Sequence, residues 1–229
     1  MPVLTRISPR LSERRYLLLF GMLLATIAIG PLAEEFGFGS TLLDVFLGLT
    51  LLSTVWPAQS STARGATIAL VVLAVLLRLL PSGAVGGHAE AISYALWAVI
   101  ALFAAYRALN YALTNVPVDT DHMMAALSAY LLVGVFWGAI YVAVEEGMPR
   151  SLLVAGQPFA NGMSLNDGIY FSFVTLATLG YGDITPITPI ARGLAVFEAI
   201  VGQFYLAVLV ARLVGLRQVA ATGDGARPG

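Results

Sequence analysis

Six consecutive residues, Thr178-Leu179-Gly180-Tyr181-Gly182-Asp183, have the types and order needed to hold a dehydrated cation. A cation stripped of water inside a membrane needs oxygens to replace its hydration shell, and backbone carbonyls supply them when successive carbonyls point the same way. An ordinary strand alternates its carbonyls. Aligning them requires every second residue to adopt backbone angles that suit glycine best. Gly180 and Gly182 alternate in that way. Thr178 adds a hydroxyl at the inner end, and the Tyr181 ring is expected to turn outward and brace the strand. One chain supplies only one side of such a site, so four copies must surround the axis.

The surroundings of the hexapeptide suit this chemistry. Asp167 to Thr178 is apolar but too short to span a bilayer, which predicts a re-entrant helix that enters from one side and stops midway. Asn166 or Asp167 is the expected N-cap. Non-helical backbone at membrane depth is tolerated only where it is buried in protein or lines a watery path. A short helix, a glycine-broken strand and then a further apolar span therefore predict a pore.

Composition puts these elements in a bilayer. Of 229 residues, 59% are apolar and only 11% charged, too little charge to coat a soluble domain. Six apolar stretches are read as spans, at 14–33, 41–57, 65–80, 91–113, 122–144 and 187–213. The first follows Arg6, Arg10, Arg14 and Arg15 and so resembles a secretory signal. No small-residue cleavage site follows, and Tyr16–Ala33 is read as a retained helix. The tail after Arg217 is expected to be irregular. With no cysteine, disulfides and cysteine metal sites are excluded. The net charge of −1 gives no sign of nucleic-acid binding.

Arginine placement sets a topology. With the N-terminus in the cytoplasm, Arg6, Arg10, Arg14, Arg15, Arg64, Arg107, Arg212, Arg217 and Arg227 fall inside, and Arg78, Arg150 and Arg192 outside. This is the positive-inside pattern, and both termini are then cytoplasmic. The outer side collects Glu34, Glu35, Glu90, Glu145, Glu146, Asp167 and Asp183, which would concentrate cations at an outer mouth.

The hexapeptide resembles the signature of potassium channels. The match continues in Tyr170-Phe171, placed where the family has an aromatic cuff, in Thr185-Pro186 after the filter, and in Gly202, where the inner helix of the family often has its hinge. It covers roughly 122–213. The four preceding helices are similar to the peripheral domain of six-helix channels only in number and placement. The resemblance implies an all-α polytopic membrane protein, a homotetramer in the cell membrane, that conducts potassium passively. Potassium would be held by carbonyls of Thr178, Leu179, Gly180 and Tyr181, with Gly182 and Asp183 completing the filter. Residues 1–115 would form the four-helix peripheral domain, and 116–229 the pore domain. No enzyme and no cofactor beyond the permeant ion are implied. Alternatives are a glycine-rich outer loop that merely reverses the chain, a related filter in a potassium transporter, and a transport or regulatory subunit that needs a partner.

Other residues carry weaker expectations. The fourth helix holds only Arg107, so steep voltage sensing is not expected. The 16 residues after Leu213 predict no ligand-binding domain there. Asp44 and Arg78 either pair with each other or snorkel to the outer interface. Glu198 is read as a contact between the inner helix and the pore helix or a neighbouring subunit, with a cavity-facing charge as the alternative. Gln203, Leu206 and Val210 lie at helical spacing and either line an inner cavity or pack. His88 and His122 are expected to be solvated or capping, and Trp56, Trp97 and Trp137 to serve packing or interface anchoring.

Overall fold

A computed structural model of the chain describes residues 15–36, 61–78, 89–114 and 120–224. The candidate span 41–57, the Asp44–Arg78 pairing, Trp56 and His88 lie outside the described residues.

The described chain is mostly helical. Its elements are α1 (Arg15–Glu35), α2 (Ser61–Arg78), α3 (Ala89–Ala112), α4 (Thr120–Gly147), β1 (Leu152–Val154), α5 (Leu165–Leu176), β2 (Ile184–Pro186) and α6 (Pro189–Asp224). Within α1, α3, α4 and α6 lie segments long and apolar enough to cross a membrane. The last helix runs on to Asp224, so the chain just beyond Arg217 is helical rather than irregular.

α4 is the central post. It packs against α3, α1, α5 and α6. Small residues make the α3–α4 seam close: Ala101, Ala104, Ala105 and Ala108 of α3 are buried, as are Ala125 and Ala129 of α4. Such residues let helix backbones approach where lipid offers no hydrophobic drive. On its other side α3 holds α2, with Ser93 Oγ donating to the Ala74 carbonyl at 2.9 Å. The first turn of α1 is satisfied from far along the chain: Oδ1 of Asp121 accepts from the backbone N–H of Tyr16 (3.0 Å) and Leu17 (3.3 Å).

Glycines set the distance between α4 and α5. A Cβ on Gly168 would lie 2.5 Å from the Gly138 carbonyl oxygen, and one on Gly138 would lie 2.7 Å from the Ile169 nitrogen. After α4 the chain turns through a loop held by Glu145. Its buried carboxylate accepts from the backbone N–H of Arg150 (2.8 Å) and Leu152 (2.9 Å). β1 then pairs antiparallel with β2, with Leu153 opposite Thr185, and closes the segment that contains α5 and the hexapeptide.

Trp97 and Trp137 are both buried, so they serve packing. His122 is buried too, stacked 4.5 Å from the Tyr111 ring and 3.2 Å from Thr114 Oγ1, which replaces the expectation of a solvated or capping residue.

Candidate ion pathway

The short helix before the hexapeptide begins two residues earlier than expected. Its N-cap is Ser164, not Asn166 or Asp167. Ser164 Oγ accepts from the Asp167 N–H at 3.1 Å, and Asp167 Oδ2 accepts from the Ser164 N–H at 3.1 Å. This is the reciprocal capping box, in which Asp167 stands three residues inside the helix. The carboxylates of Asp167 and Glu145, expected to gather at an outer mouth, are thus bonded to local backbone.

α5 ends at Leu176, and its last turn leads directly into the hexapeptide. The Leu179 N–H donates to the Val174 carbonyl at 2.8 Å, and the Thr178 N–H to the Thr175 carbonyl at 2.9 Å. These are the two bonds of a Schellman ending, whose left-handed position is most often glycine. Here it is Thr178, with φ of 57°. A left-handed backbone costs a non-glycine residue about 1–2 kcal/mol. Gly180 and Gly182 follow with φ of 60° and 81°. Left-handed residues therefore stand at every second position, 178, 180 and 182. The two glycines were legible in the sequence; the threonine was not, because nothing in its type marks it.

Within the single chain, Tyr170 reaches the end of the hexapeptide. The Tyr170 hydroxyl donates to Asp183 Oδ2 at 2.7 Å, tying α5 to the C-terminal end of the hexapeptide. This bond holds the Asp183 carboxyl below its ordinary value and pushes the Tyr170 hydroxyl up to about 12. Phe171, its neighbour, is buried edge-on against the Tyr141 ring, 4.7 Å between centroids. Leu179 and Tyr181 are exposed in the single chain, at 57% and 67%.

α6 starts with Thr188 Oγ1 accepting from the Ala191 N–H at 3.3 Å and with Pro189 in the first helical position, where its missing N–H costs nothing. One face of α6 docks on α4 and α5. Tyr205 donates to the Ala126 carbonyl. Gly202 is buried against Leu176, and a Cβ there would lie 2.5 Å from the Leu176 carbonyl oxygen. Glu198 is fully buried: Ser172 Oγ donates to its Oε1 at 2.5 Å, and the Tyr141 hydroxyl to its Oε2 at 2.6 Å. Of the readings of Glu198, a contact with α5 is therefore the one formed within the chain. The opposite stripe, Val196, Ile200, Phe204 and Val208, is exposed and apolar. Gln203, Leu206 and Val210 are exposed as well. Sequence reasoning missed Tyr141, Ser172, Gly138 and Gly168. The pair Gly134 and Gly138, four apart on one helix, was the available signal for close packing.

Residues 126–216 match the family described as "Ion channel". A two pore potassium channel c from Oryza sativa subsp. japonica is 36% identical over 100 residues, 43% of this chain and 19% of the relative. The inward rectifier potassium channel Kirbac3.1 of Paramagnetospirillum magnetotacticum is 32% identical over 92 residues, 39% of this chain and 31% of the relative. A voltage-gated potassium channel of Aeropyrum pernix is 29% identical over 103 residues, 45% of this chain and 31% of the relative. The chain thus spans less than a third of the length of each of these three relatives. No solved structure matches the chain significantly.

Proposed function

We propose that this chain, whose residues 126–216 match the family described as "Ion channel", is a potassium channel that conducts potassium passively across a membrane as a homotetramer. The observation that carries this reading is the left-handed backbone at Thr178, Gly180 and Gly182. Alternating handedness is the condition for successive carbonyls to share one side, so Thr178, Leu179, Gly180 and Tyr181 would each present an oxygen to the ion, with Gly182 and Asp183 at the outer end. Potassium sheds water, exchanges it for these oxygens, and moves by knock-on between adjacent sites. The C-terminal, negative end of α5 favours a cation just below.

The exposed stripe on α6 and the exposed Leu179 and Tyr181 support a fourfold assembly, because apolar surface beside a polar filter needs a neighbouring subunit. Six spans, a peripheral unit over 1–115, a pore unit over 116–229, and cytoplasmic termini in a cell membrane complete the proposal. Arg107 is the single basic residue of α3, which favours a pore without steep voltage dependence. The activity needs no cofactor and is not enzymatic.

The test is flux into liposomes carrying purified protein, potassium against sodium, repeated for Gly180→Ala. Potassium-selective flux that the substitution abolishes is expected, since an L side chain at φ of 60° is strained and would disturb the carbonyl it precedes. Equal sodium and potassium flux would reject the reading.

A further inference from the structure

The inner helix and the pore helix touch at two places in one register. Ser172 meets Glu198, and Leu176 meets Gly202. The sequence separation is 26 for the first pair. The second pair lies one helical turn further along both helices, because 172 to 176 and 198 to 202 are each a step of four. The first contact is polar and directional; the second is steric, with no room for a Cβ between Gly202 and the Leu176 carbonyl. Leu176 is the last residue of α5, and the left-handed Thr178 follows two residues later.

A carboxyl group in an apolar interior is retained only with hydrogen-bond partners. Glu198 has one hydroxyl on each oxygen, Ser172 from α5 and Tyr141 from α4. Both hydroxyl-bearing residues are themselves fully buried. The three side chains join three helices at one point, and neither hydroxyl has water to turn to if the acid is lost.

We propose that Glu198 is a positioning residue for the filter: its bond to Ser172, with the Gly202 seat below it, fixes the end of α5 and hence Thr178 at one depth against α6. Movement of α6 above Gly202 is then transmitted to the inner end of the filter, whereas movement below Gly202 is not. This rests on the conduction reading given above and adds the link between the inner helix and the filter.

Two substitutions that each remove one buried hydroxyl separate positioning from general stability. Ser172→Ala cuts the link to the pore helix, and Tyr141→Phe cuts only the link to α4 while keeping the ring against Phe171. In purified tetramers, amide hydrogen exchange at 177–180 is expected to rise about tenfold in Ser172→Ala and to stay near wild type in Tyr141→Phe, a single buried hydrogen bond to a carboxylate being worth about that factor. The potassium-to-sodium flux ratio is expected to fall by a similar factor in Ser172→Ala alone. Glu198→Gln, whose amide can bond both hydroxyls, is expected to retain the wild-type values in both measurements. Equal effects of Ser172→Ala and Tyr141→Phe, or no change in exchange in Ser172→Ala, would overturn the proposal. If the wild type proves unselective, the conduction reading fails and the exchange comparison alone decides the role of Glu198.

Discussion

Tyr170 and Asp183 lie thirteen residues apart and meet at 2.7 Å, the phenol donating to the carboxylate at the C-terminal end of the hexapeptide. The bond lowers the affinity of Asp183 for a proton and raises that of Tyr170. Its contribution is present above the ordinary carboxyl value of 3.8 and is lost as pH falls through the lower, native one. On the alkaline side it is present below the ordinary phenol value of 10.0 and is lost as pH rises through about 12. Flux is therefore expected to be insensitive to this pair over outer pH from 3.8 to 10.0. In Tyr170→Phe the acid midpoint of inhibition moves upward toward 3.8, and flux at neutral pH falls. An unchanged acid limb in liposome recordings at stepped outer pH would remove Tyr170 from the filter's support.

Gly202 offers a test of sign. Were its use only to let α6 bend, Gly202→Ala would stabilise the helix by about 1 kcal/mol. Its seat on the Leu176 carbonyl predicts the opposite, because overpacking a close contact costs about 1–3 kcal/mol. Thermal unfolding of the variant in detergent is expected to show a lower Tm than wild type.

Asp121 anchors the start of α1 from more than a hundred residues away. Asp121→Ala is expected to cost about 1 kcal/mol, the usual loss when a helix start is left without an acceptor. Asp121→Asn should keep most of the stability, since an amide oxygen still accepts both N–H groups. Thermal unfolding of both variants, with proteolysis of the 15–35 helix as the local readout, checks the pair.

Voltage response is expected to be shallow. One charge moved through the whole field yields about 2.3 kcal/mol per 100 mV, and Arg107 is the only basic residue in α3. Voltage steps on reconstituted channels should show open probability changing with less than one gating charge per subunit. Steep activation would contradict it.

The described helices, the apolar spans within four of them and the left-handed backbone at Gly180 and Gly182 were legible in the residues, for physical reasons. Apolar runs near twenty residues and glycines at alternate positions are local properties, and each is set by a length or a φ value that needs no partner from elsewhere in the chain. Thr178, Ser164 and Glu198 show where local reading stops. Thr178 takes a left-handed backbone because the last turn of α5 closes over it, and a threonine gives no notice of that. Ser164 and Asp167 are both good cap residues, and the reciprocal bond between them decided which one starts the helix. Glu198 could as well have faced a cavity. Tyr141 and Ser172, 57 and 26 residues earlier, turn it inward, because a buried acid goes where hydroxyls from other helices can meet both of its oxygens. Helices, spans and backbone handedness at glycine follow from short stretches of chain; which side chains share a bond across helices is decided only once those helices are packed.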